Sequence, residues 1–200
     1  VTEHFLQELA QLLTQEQWDA IGVDQWVYGK GLPVNCPFPA SNRFFIVDEA
    51  VKMMLSTAPE APDAKQMCYA AFETTKFWST HEWLRYIRGL EAGGATVGHY
   101  ALADENYGFS GSPNPEIVAA WFSAILKTDY QGYDRAVYKK TVEEFLVKVG
   151  RRKFIVPMYE SMLNGDEKRQ QWAREIYKKA RPSYHPLSQG TLDALFASNE

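Results

Sequence analysis

Apolar residues recur at three- and four-residue spacing along most of this chain. Phe5, Leu6, Leu9, Leu12 and Leu13 form one stripe, Phe44, Val47, Val51, Met54 and Leu55 a second, and Ile117, Ala120, Trp121, Ala124 and Ile125 a third. Tyr138, Val142, Phe145, Leu146 and Val149 continue the pattern, as do Leu192, Leu195 and Phe196. Each stripe predicts a helix buried along one side. No stretch alternates with period two between hairpin turns, so strands have little support and the expected class is all-α.

The punctuation between the stripes agrees. Ser79 with Glu82 three residues later makes a capping box ahead of Trp83, Ile87 and Leu90. Asn114, Pro115 and Glu116 supply a cap, a first-turn proline and an acid near the positive end of the helix dipole. Gly150 follows Val149 in the place of a helix-ending glycine, Asn164-Gly165 closes the next segment, and Pro182 stops the helix through Trp172 and Ile176. The segment from Gly22 to Ala40, with Gly29, Gly31, Pro33, Pro37 and Pro39, reads as non-helical, with the domain proper beginning near Ser41. Helices of about a dozen residues joined by short turns must pair or stack to bury their faces. A stack is expected, a helical solenoid of the α-α superhelix kind. No repeat of fixed period marks it, so a compact bundle stays open.

Charge and composition narrow the partners. A net charge of −4 and the lack of any Lys/Arg cluster interleaved with aromatics exclude a phosphate-backbone surface, so no nucleic acid is expected. No apolar run approaches the roughly 18 residues of a membrane span, and Val-Thr-Glu-His is not a signal-peptide start. The chain reads as soluble. Cys36 and Cys68 have neither metal-type nor redox-type spacing and read as free thiols, with a disulfide or a reactive nucleophile as the alternative.

Chemistry-bearing patterns are few. His81-Glu82-Trp83-Leu84-Arg85 approaches the zinc-protease motif but has Arg85 where the second histidine is needed, so it reads as a helix start. His4, His99 and His185 stand singly and read as structural. There is no G-x-S-x-G elbow and no phosphate-cradling loop, Gly93-Gly94 lying in a short turn. Glu143-Glu144 and Asp166-Glu167 read as helix-start or polar-face carboxylates, and the six tryptophans as core. The chain is thus expected to hold no catalytic residue and no metal. One segment differs: Arg151-Arg152-Lys153 places three cations between two apolar helices. Pro157 suits the first turn of a new helix, which puts the cations at or just before its N-terminus, where they oppose the dipole unless an anion binds there. The alternative is a solvated surface cluster.

Gly150-Arg151-Arg152-Lys153-Phe154 followed by Pro157 resembles the G-R-x-K-F…P signature of the leukotriene-hydrolase group of zinc aminopeptidases. Trp26 to Pro33 looks like that group's W-x-x-x-x-G-L-P stretch. Asn106-Tyr107-Gly108-Phe109 ahead of Glu116 and Trp121 is similar to its Y-x-F…N-x-E-I…W pattern, and Ala180 to Pro186 resembles its closing H-P segment. These patterns cover nearly the whole chain in order. The resemblance implies an armadillo-like stack of helices at the C-terminal end of a zinc aminopeptidase. By it, residues 1–25 are the last helix and tail of an upstream catalytic domain, 26–40 a Gly/Pro-rich linker and 41–200 the helical-repeat domain. The H-E-x-x-H helix and the G-x-M-E-N loop are absent from these residues, so zinc and catalysis are expected upstream and this stretch alone is expected to be inactive. Carried over by position, Arg151 and Lys153 are the residues that bind a substrate carboxylate. Arg152 stands where the group often has a neutral residue, which leaves open which arginine faces the site.

The partners implied are the upstream catalytic domain and short peptide substrates. The compartment expected is cytoplasmic, with periplasmic or secreted as the alternative. The competing functional reading is a stand-alone helical-repeat scaffold that binds a protein and catalyses nothing.

Overall fold

A computed structural model describes residues 2–37, 41–64, 75–128 and 136–199. Among these the secondary structure is helical throughout, with no strand, as the apolar spacing predicts. The chain divides into two compact units, Val1–Ser41 and Asn42–Glu200.

The first unit holds three short helices, α1 (Thr2–Leu12), α2 (Gln15–Ile21) and α3 (Val23–Tyr28). Thr14 starts α2 with a reciprocal cap, its hydroxyl accepting from the Gln17 N–H while Gln17 accepts from the Thr14 N–H. Two expectations change here. Val23–Tyr28 is helical although its Gly- and Pro-rich surroundings read as non-helical; Val23, Trp26 and Val27 supply one helical turn of apolar spacing inside that composition. The α1 stripe forms a helix but is not buried, Phe5 being 57% and Leu12 78% exposed. Three short helices offer that face no second layer within the unit.

The second unit contains α4 (Asn42–Ser56), α5 (Thr80–Ala92), α6 (Val97–Tyr107), α7 (Pro115–Lys127), α8 (Ala136–Lys148), α9 (Arg152–Leu163), α10 (Glu167–Ala180) and α11 (Pro186–Ala197). Short 3-10 turns occur at Phe109–Gly111 and Arg181–Ser183. Helix α5 packs on α4; the pairings of α5 with α7, α7 with α9, α9 with α11 and α8 with α10 each skip one helix in sequence, and α10 also meets α9. This skip-one pairing is the neighbour pattern of stacked helical hairpins. Helix α7 lies at the centre: Ile117, Val118, Trp121, Phe122, Ala124, Ile125 and Leu126 are all buried, a wider face than its single stripe implies.

The capping chemistry is as spelled in the sequence. Ser79 and Glu82 form their box, Asn114 accepts from the Glu116 N–H at 2.9 Å with Pro115 at the first helical position, and Asp166 caps α10. Glu82 does more than cap. It is buried and also grips the Arg43 guanidinium of α4 through two bonds of 2.8 Å. Arg85, standing where a zinc motif would need histidine, instead holds Asp48 through two bonds of 2.7 Å. His99 is buried, its two ring nitrogens engaged by Thr96 and the Thr57 carbonyl. Cys36 is a free thiol, and Cys68 lies outside the described residues.

Two glycines in this unit are explained by close approach. A Cβ on Gly89 of α5 would lie 2.8 Å from a Val51 methyl of α4, closer than real contacts allow. Gly89→Leu should therefore lower stability by about 1–3 kcal/mol through overpacking, more than offsetting the gain from removing a helical glycine. Urea unfolding of wild type and variant measures it, and an unchanged midpoint would refute the close-packing account. Gly150 is not a left-handed helix end, since it does not have positive φ; a Cβ there would meet the Tyr184 ring at 3.2 Å.

Among the described residues no helix is long and apolar enough to cross a membrane.

Candidate functional site

The cation cluster is placed by the end of α8 and the start of α9. Gly150 lets Tyr184 press against the turn, and the Tyr184 hydroxyl donates to the Leu146 carbonyl at 2.5 Å. Ser188 of α11 donates to the Gly150 carbonyl at 3.2 Å. The closing segment of the chain thus clamps the turn from which the cations project, linking two motifs that are 34 residues apart at Gly150 and Tyr184.

Arg151 is the N-cap residue of α9, and its carbonyl accepts from the Phe154 and Ile155 N–H groups at 2.9 and 3.2 Å. A guanidinium has no acceptor to offer, so no side chain caps this end. Pro157 does not open the helix as its sequence position suggests; it lies inside α9, in the second turn, and the helix begins at Arg152. The cost of a proline there falls on the Lys153 carbonyl, which loses the N–H four residues on.

Phe154 is buried, and its ring orders the two cations that flank it. The Arg151 guanidinium carbon lies 5.1 Å from the ring centroid and the Lys153 ammonium 5.2 Å. Such contacts contribute about 0.5–1 kcal/mol each at exposed sites, enough to bias long side chains toward one arrangement. Both cations also face one acid. Lys153 Nζ is 2.6 Å from Glu116 Oε1, and Arg151 NH1 is 3.9 Å from the same oxygen. Glu116 sits in the first turn of α7, where the dipole favours an anion. The Lys153 ammonium lowers its carboxyl below the ordinary range, with Arg151 and His81 adding to the effect against partial burial.

Arg152 is exposed at the first position of α9, and among the described residues the ion pairs to Glu116 and the contacts with the Phe154 ring involve Arg151 and Lys153. Sequence reasoning paired Arg151 with Lys153 but missed their acid. Glu116 is 37 residues from Lys153 and reads in sequence as a first-turn acid and as part of the family pattern, with no link to the cations. No local spacing signals such a contact, which exists because α7 packs against α9.

Beside these residues runs a groove of about 280 Å³ across α5, α7 and α9. Leu84, Ile87, Ala120, Phe154 and Pro157 give it an apolar floor, and Arg88, Glu91, Lys127, Glu116 and Lys153 give it charged edges. Lys127 and Glu91 close on each other at 2.6 Å. Lys153 and Glu116 thus line the groove, while Arg151 is not among the residues that line it. No group of three His, Cys, Asp or Glu side chains able to hold a metal is found among the described residues.

Comparison with known proteins gives a consistent assignment. The family described as "Leukotriene A4 hydrolase, C-terminal" matches residues 78–196, more than half the chain. The chain is similar to leucine aminopeptidase 2 of Neosartorya fischeri, 28% identical over 190 residues, which covers 93% of this chain and 27% of that protein. It is similar to aminopeptidase B of Mus musculus, 24% identical over 166 residues, covering 81% of this chain and 24% of the relative. The chain therefore spans about a quarter of the length of these curated relatives.

Proposed function

Because the chain belongs to the leukotriene A4 hydrolase C-terminal family, we propose that it is the helical C-terminal domain of a zinc metallo-aminopeptidase. In this role it forms one wall of the peptide-binding cleft and binds the free carboxylate of the substrate. The relatives named as aminopeptidases support the hydrolase class, and their greater length supports a catalytic domain upstream. The observation that carries the carboxylate role is the convergence of Arg151 and Lys153 on one carboxylate oxygen, that of Glu116. The two cations are already arranged for the chemistry of a peptide C-terminus.

Zinc does not fit the described residues of this chain. The histidine-containing stretch at His81 to Arg85 is occupied by helix capping and an ion pair, and His99 by its two hydrogen bonds. In the proposed arrangement the metal-bound steps belong to the upstream catalytic domain. What this chain contributes is binding: Arg151 offers a planar fork for two parallel hydrogen bonds, and Lys153 a point charge beside it.

Hydrogen bonds to charged groups contribute about 1.5–3 kcal/mol, so Arg151→Ala in the full-length enzyme should lower kcat/KM for a tripeptide about ten- to a hundredfold. Arg151→Lys should recover only part of it, because the ammonium lacks the fork. An aminoacyl anilide has no terminal carboxylate, so its hydrolysis should fall much less. Comparing both substrates in wild type, Arg151→Ala and Arg152→Ala checks the proposal. Equal losses on both substrates would assign Arg151 a structural role, and a tripeptide-selective loss confined to Arg152→Ala would assign the site to the other arginine.

A further inference from the structure

The carboxylate that the two cations hold in this structure belongs to the protein itself. Glu116 Oε1 sits 2.6 Å from Lys153 Nζ and 3.9 Å from Arg151 NH1, and about a third of the Glu116 side chain is open to solvent. Two unequal distances to one oxygen describe a close ion pair with the lysine and a long contact with the arginine. Among the described residues Lys153 is thus closely engaged, while Arg151 makes this long contact and lies over the Phe154 ring with its side chain largely exposed. The Arg151 and Lys153 side chains are themselves 63% and 54% exposed, so water and incoming anions reach them.

We propose that Glu116 is an internal competitor for the cation pair, a residue that tunes how tightly a ligand carboxylate is held. This inference rests on the carboxylate-binding role of Arg151 and Lys153 given above. An entering carboxylate takes the exposed Arg151 first and gains Lys153 only by displacing Glu116 from it. Glu116 loses little on release, because its place in the first turn of α7 keeps it beside a positive helix end. Its negative charge nevertheless stays within reach of the bound ligand and repels it. The arrangement weakens ground-state binding of free acids, substrates and products alike, and so favours product release. Neutral C-termini, which do not engage the cations, are not penalised in this way. Glu116 is therefore a specificity-determining residue for the ligand's terminal charge.

The opposing account makes Glu116 a positioning residue that holds Lys153 in place for the ligand. The two accounts differ in sign. The test uses the full-length enzyme with a tripeptide free acid and the same tripeptide as its C-terminal amide, in wild type, Glu116→Gln and Arg151→Ala. Glu116→Gln keeps the size and the helix position while removing the charge, and its melting temperature reports folding. Exposed ion pairs contribute up to about 1 kcal/mol, so the acid-to-amide ratio of kcat/KM should rise about two- to fivefold in Glu116→Gln, with the change in KM of the acid. Product inhibition by the free carboxylate should strengthen by a similar factor. An unchanged or lowered ratio overturns the proposal, the lowered ratio in favour of the positioning account. If Arg151→Ala leaves the wild-type ratio unchanged, the carboxylate site itself fails. If it lowers the ratio while Glu116→Gln does not raise it, the site stands and only the competitor role fails. Should Glu116→Gln melt early, Glu116→Asp serves as the second variant: its shorter reach loosens the hold on Lys153, and the ratio should again rise.

Discussion

Replacing Trp121 by alanine is expected to lower stability by about 3–5 kcal/mol, as large aromatic truncations in a close-packed core do. Trp121 is fully buried in α7, with the Phe109 ring 4.6 Å and the Tyr100 ring 5.3 Å from its own. Its indole N–H donates to the Ser110 hydroxyl at 3.2 Å, and Ser110 in turn donates twice to Asp104, at 2.8 and 2.7 Å. The residue therefore joins the α6–α7 connection to the centre of the unit by both packing and a polar chain. Trp121→Phe keeps much of the ring volume but leaves Ser110 without its donor, and should lose less than half as much. Urea unfolding of the three proteins tests this; an alanine variant within about 1 kcal/mol of wild type would mean that the site collapses freely, against the packing described.

Glu82→Ala should be the next most damaging change. The carboxylate is 4% exposed and accepts from the Ser79 N–H and hydroxyl, both at 2.7 Å, and from two Arg43 nitrogens at 2.8 Å. Losing charged hydrogen bonds of about 1.5–3 kcal/mol together with a helix cap of about 1 kcal/mol gives an expected loss of about 2–4 kcal/mol. Arg43 is 64% exposed and rehydrates, which keeps the loss below the sum for a fully buried pair.

The same carboxylate carries a pH signature. The Arg43 hydrogen bonds, opposed by burial and aided by Ser79, hold its carboxyl at about 2, against an ordinary value of 4.5. A depressed folded-state value contributes stability above the unfolded value and loses it as pH falls toward the folded one. The stability difference between wild type and Glu82→Gln should therefore be constant above pH 4.5 and shrink from there down to pH 2. A difference that does not change across that window would show that the carboxylate is not held ionised by Arg43.

Local rules in the sequence determined the helices and their starts. Ser79–Glu82 and Asn114–Pro115 act within one turn, and the stripes of α4, α7 and α8 mark buried faces because a 3.6-residue period is a property of the segment itself. Composition hid α3, whose one apolar turn lies among glycines and prolines, and the stripe of α1 did not tell whether anything covers it. Pro157 shows the limit of position rules: a proline suited to a first turn stands in the second turn of a helix that begins at Arg152. The motif Gly150 to Lys153 was legible as a cation cluster, and the family resemblance gave it a chemical role. What only the tertiary structure decided is which acid faces it. Glu116, 37 residues from Lys153, meets the cations because α7 and α9 pack side by side, and a contact between helices is set by the whole core rather than by either segment. For the same reason Glu82, which reads in sequence as a helix cap, forms in the fold an ion pair with Arg43, 39 residues away.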